Sequence, residues 1–125
     1  MAGFVRFVCP GRGNGIFQSA PRLLRSGALS TRDRARLRSL LDWFGENLEE
    51  PDTFVRTTSK GAYRRDPVAI CWFKDTATEC IRRAWSIARV LEANGVVVEF
   101  VTTKRPGYVT YEDEHQVAAI PYADR

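Results

Sequence analysis

Apolar residues along the chain change spacing several times, and each change marks an element. In "FVRFVCP", Phe4, Val5, Phe7 and Val8 surround Arg6, which predicts a short strand closed by Pro10. "GRGNG" follows, with glycines at 11, 13 and 15, and reads as a loop. "IFQSAPRLLRSG" suits a short helix, with Pro21 either interrupting it or marking its first turn. The clearest helix is "STRDRARLRSLLDWFGENL". Ser30 is a good N-cap, and Asp33 suits the positive end of the helix dipole. Leu37, Leu40, Leu41, Phe44 and Leu48 form one apolar stripe at i, i+3, i+4 spacing.

The stretch "TFVRTTSKGAYRRDP" has no period and is read as a loop. "VAICWFK" is a continuous apolar run, the pattern of a central strand buried on both faces. Asp75 or Thr76 is expected to cap the next helix. Its buried stripe is Ala77, Cys80 with Ile81, Ala84, Ala88 and Leu91, and Glu79 pairs with Arg83. Asn94-Gly95 stops that helix. "VVVEFVTT" is a further strand, "KRPG" a turn, and "YVTYEDEHQVAAIPY" a hairpin.

The order is strand, two helices, strand, helix, strand and hairpin (β-α-α-β-α-β-β). This predicts an α/β or α+β domain with a mixed sheet of about four to five strands, packed with two to three helices. Residues 1–125 fit one compact domain. If the strands on either side of the third helix are neighbours and parallel, their crossover is right-handed.

The histidine of the chain, His115, stands in "YEDEHQV" beside three acids. Pairing Tyr111 with Val117 and Val109 with Ala119 gathers the apolar side chains on one face. Asp113, Glu114 and His115 are then left as a solvated turn. In one continuous strand, Asp113 and His115 would instead share a face, and the carboxylate could orient the imidazole as a general base. These two residues are the catalytic candidates. They are too few to form a zinc site, so no metal and no cofactor is expected.

Charge is unevenly distributed. Residues 1–40 hold eight arginines against one acid, and residues 41–54 hold five acids and no base. Arg32, Arg34, Arg36 and Arg38 spread over the polar arc of the capped helix. Such an arc suits phosphate, but the adjacent acidic block repels a long duplex. Patches of opposite sign instead fit a protein or nucleoprotein partner. Tyr63 with Arg64 and Arg65 has the composition of an interface hot spot. Arg12, Gly13 and Gly15 offer a weaker anion-binding loop, because the spacing matches no phosphate-binding motif.

Cys9, Cys71 and Cys80 show no C-x-x-C spacing, and an odd number argues against a disulfide framework. Cys9 and Cys71 lie in apolar runs and are expected to be buried. The opening residues lack the features of a secretory signal, and no apolar run is long enough for a bilayer, so a cytoplasmic location without membrane contact is expected.

"GIFQSAPRLLRSGALS", "LLDWFGENLEEPDTF", "ICWFKDTA" and "RPGYVTYEDEHQVAAIPY" together resemble a group of short bacterial proteins of unknown function. That resemblance implies a compact cytoplasmic domain and assigns no activity. The combined expectation is a non-enzymatic accessory or inhibitor protein, bacterial or of mobile-element origin. It would dock through its charged patches. The alternatives are nucleic-acid binding by the arginine-rich helix and a small enzyme using Asp113 and His115.

Overall fold

The computed structural model describes residues 3–11, 14–48 and 69–122. Its strands are β1 (Phe4–Cys9), β2 (Asn14–Gly15), β3 (Ile70–Lys74), β4 (Glu99–Thr103), β5 (Tyr108–Glu112) and β6 (Gln116–Ile120). Its helices are α1 (Ile16–Ser26), α2 (Thr31–Asn47) and α3 (Thr78–Ala93). Tyr63, Arg64, Arg65, Arg12 and Gly13 lie outside the described residues.

The expected α+β class is what the chain adopts. Five main strands lie in the order β4-β1-β3-β6-β5, and every pairing is antiparallel. The two-residue β2 pairs with the far half of β1: Val8 meets Glu99 on one side and Gly15 on the other. Strands β3 and β4 run in the same direction, but β1 lies between them, so the connection through α3 steps over one strand.

Alternation within β1 decides which face is covered. Val5, Phe7 and Cys9 are buried, whereas Phe4, Arg6 and Val8 are half-buried. On the covered face Phe73 lies near Phe17 of α1 and Phe44 of α2, with ring centroids about 6 Å apart. Phe7 meets Trp85 of α3 edge-on at 4.9 Å. Leu37, Ile87 and Leu91 are fully buried in the same core, with Leu40, Leu41 and Leu48 packed at its margin. The leucine stripe thus does what its spacing predicts.

Local signals explain most element ends. The Ser30 hydroxyl accepts the Asp33 N–H at 3.1 Å and caps α2. Asn94 closes α3, where its side chain donates to the Val90 carbonyl, and Gly95 takes a positive φ of 87°. Pro21 does not break α1. It sits in the second turn, where the bond it would donate to the Phe17 carbonyl is missing and the helix continues.

Three expectations are corrected. Neither Asp75 nor Thr76 caps α3: the N-cap position is Ala77, and the Asp75 carboxylate accepts the Gly3 N–H at 2.8 Å instead. Strand β3 is central but not buried on both faces. Phe73 is buried beneath the helices, but Cys71, two residues back on the same face, is exposed, and Ile70, Trp72 and Lys74 on the other face are half-buried, so Cys71 is not the buried thiol its apolar neighbours suggest. The hairpin register also shifts. Val109 does face Ala119, but an irregularity at Thr110 sets Tyr111 opposite Ala118 and Glu112 opposite Val117.

Candidate functional site

The acidic turn joins β5 to β6. The Asp113 N–H donates to the Gln116 carbonyl at 3.0 Å and closes the turn. The Asp113 side chain then accepts four hydrogen bonds. Two come from the backbone N–H groups of His115 (2.8 Å) and Gln116 (3.0 Å). The others come from the Tyr111 hydroxyl (2.7 Å) and the Gln116 side-chain amide (3.2 Å). Burial pushes this carboxyl up, and the four donors more than reverse that, holding it below the usual carboxylate range. An ionised acceptor at the first position of a turn is a structural device.

The imidazole of His115 is not part of that cluster. Its Nε2 lies 3.8 Å from a Glu114 oxygen, too far for a hydrogen bond, and the side chain is 40% exposed. Asp113 and His115 are neighbours in sequence without forming an acid–base pair. Beneath the turn, the Cys80 thiol is pushed up by burial and by the negative charges of Asp113 and Glu79, which disfavours a thiolate. Lys74 bridges to Glu112 at 2.6 Å on the other face of the ribbon.

The arginines of α2 are not equally exposed. Arg34 turns inward and donates to the Leu24 carbonyl at 3.2 Å, joining α2 to α1. Arg32, Arg36 and Arg38 are exposed. Arg38 lines an open groove of about 490 Å³ with Ala35, Ser39, Asp42, Trp43 and Glu46, and Arg83 enters from α3. The Arg83 guanidinium lies 4.4 Å from the centroid of the Trp43 ring, and its Nε donates to Glu79. Arg82 and then Arg83 hold the Glu79 carboxyl below its ordinary value. Arg83 is thereby fixed between an acid and an aromatic face. The groove combines two cations and two anions around a half-buried indole. Trp43 and Arg83 were not legible as a pair, because they meet only when α2 packs on α3.

Of the glycine loop's anion-binding candidates, Gly15 is described. The Gly15 N–H donates to the Gln18 side chain at 3.0 Å, so it is not available to an anion. A Cβ at Gly15 would come 2.9 Å from the Phe7 carbonyl, so the close approach of β2 to β1 accounts for the glycine. On the face opposite Phe73, Arg6 lies over Trp72 at 5.5 Å, and burial lowers its pKa against the effect of nearby Cys71. The Trp72 indole N–H is buried and makes no hydrogen bond among the described residues.

Among the described residues, no group of three or more His, Cys, Asp and Glu side chains is placed to hold a metal ion. None of the described helices is long and apolar enough to cross a membrane. No family model matches this chain, and no curated protein or solved structure shows significant similarity to it.

Proposed function

We propose that this is a small binding protein that docks onto a protein or nucleoprotein partner through the outer face of α2. The observation that carries this reading is the groove at Arg38, Asp42, Trp43, Glu46 and Arg83. Its two cations and two anions suit a partner that presents the complementary pattern of charge. Tryptophan and arginine are the residue types that most often dominate binding energy at interfaces. Arg83 is already held in place by Glu79 and Trp43, so less side-chain freedom is lost on docking. The Asp113 carboxylate bonds its own turn rather than the His115 imidazole, which favours this reading over catalysis by Asp113 and His115.

The test is capture from an extract of the source organism by the immobilised protein, compared with a double charge reversal, Arg38→Glu with Asp42→Arg. The expected result is a stoichiometric complex with the wild type that the variant does not retain. Equal capture by both proteins, or none by either, overturns the reading.

A further inference from the structure

A second surface, separate from the α2 groove, lies where β5 begins and β6 ends. Tyr108 pairs with Ile120 at this end of the ribbon, and Tyr122 follows two residues later. The two tyrosine rings meet edge to face with centroids 4.7 Å apart. Both are open: Tyr108 is 64% and Tyr122 43% exposed. Arg105 lies over the Tyr122 ring at 5.3 Å, and Lys104 precedes it in the chain. Segments 104–109 and 119–122, which build this end, contain no carboxylate. Glu112, Asp113 and Glu114 are at the opposite end of the ribbon. The next acid, Asp124, lies outside the described residues.

The backbone that presents these groups is constrained. Gly107 has a φ of 131°, and a Cβ there would come 2.2 Å from the Ile120 carbonyl oxygen. The Arg105 N–H donates to the Thr103 hydroxyl at 3.1 Å. The Arg105 backbone is thereby anchored, and its guanidinium lies over Tyr122 with no ligand present.

We propose that this end of the ribbon binds a single-stranded nucleic acid, with a base stacked on Tyr108 and the flanking phosphates held by Arg105 and Lys104. Aromatic rings beside cationic side chains are how proteins hold single strands, because every base has a π-face and every linkage a negative charge. A guanidinium stacked on Tyr122 still presents its N–H edge to a phosphate. The absence of carboxylates from both segments matches the charge of the strand. A duplex keeps its bases stacked inside and cannot offer one to Tyr108.

The test is fluorescence anisotropy with an end-labelled single-stranded DNA of mixed sequence, the same strand as a duplex, and a labelled polyglutamate peptide. The expected result is tighter binding of the single strand than of the other two probes, weakening as salt rises. Tyr108→Ala weakens binding by about tenfold, while Tyr108→Phe retains it. Lys104→Glu with Arg105→Glu abolishes it and provides the test should Tyr108→Ala fail to fold. No binding of the single strand overturns the proposal, as does equal binding of duplex or polyglutamate. It is also overturned if Tyr108→Ala, with its circular dichroism spectrum unchanged, binds as the wild type does.

Discussion

The Asp113 carboxylate holds the backbone N–H of His115 at 2.8 Å, while the imidazole of His115 points to Glu114 at 3.8 Å. The carboxylate therefore shapes the chain around the histidine and leaves the ring to solvent. Replacing each residue separates the two roles. Asp113→Ala strips four donors of their acceptor and is expected to cost about 2–3 kcal/mol. His115→Ala should stay within about 0.5 kcal/mol. Urea unfolding of both variants checks this, and comparable losses would contradict it.

The depressed pKa of Asp113 gives its stabilisation a pH window. The contribution is fully present above the unfolded carboxyl value of about 3.9 and is lost as pH falls through the lower folded value. Wild-type stability should therefore fall more steeply below about pH 4 than that of Asp113→Asn. Thermal melts of the two proteins across the acid range measure the difference.

Gly107 is expected to tolerate no side chain. Its positive φ alone costs a substituted residue about 1–3 kcal/mol, and the overlap with the Ile120 carbonyl pushes Gly107→Ala to the upper end of that range. Gly27 also has a positive φ, 78°, but nothing lies within 4 Å of a Cβ there, so Gly27→Asn should be nearly neutral. Chemical denaturation of both variants tests the contrast.

The contact between Arg83 and Trp43 should appear as coupling. In a double-mutant cycle with Arg83→Ala and Trp43→Ala, the interaction energy is expected to be about 0.5–1 kcal/mol. Because Glu79 also binds Arg83, the cycle should be repeated with Glu79→Gln, where the coupling to Trp43 should fall as the guanidinium loosens. Equal coupling in both backgrounds would show that Glu79 does not position Arg83.

Much of the fold was legible because its signals are local. Ser30, the leucine stripe and Asn94-Gly95 act over one or two helical turns, and the start of α2 and the end of α3 follow from them. Strand order was not legible. Nothing near Phe4 in the chain says that it will pair with Lys74 on one side and Thr103 on the other. The hairpin shift at Thr110 is no more legible: one extra residue in β5 sets Val109 and Tyr111 against adjacent residues of β6, and nothing in the alternation announces it. The role of Asp113 had a usable signal, since aspartate at the start of a turn accepts backbone N–H groups. The hydroxyl that Tyr111 adds from two residues back had none. The groove and the Tyr108–Tyr122 pair each join two separate segments, which reading one segment at a time does not reveal.

Strand β1 has a further consequence for how the molecule is made. It leaves the ribosome well before its long neighbours β3 and β4, whose residues are synthesised some 65 and 95 positions later. Until then its amides meet only β2, and Phe7 lacks its ring partners Trp85 and Phe100. Pairings of such long sequence separation fold slowly and leave strand edges open to wrong partners. The nascent chain is thus most vulnerable to aggregation while β1 waits for its strand partners.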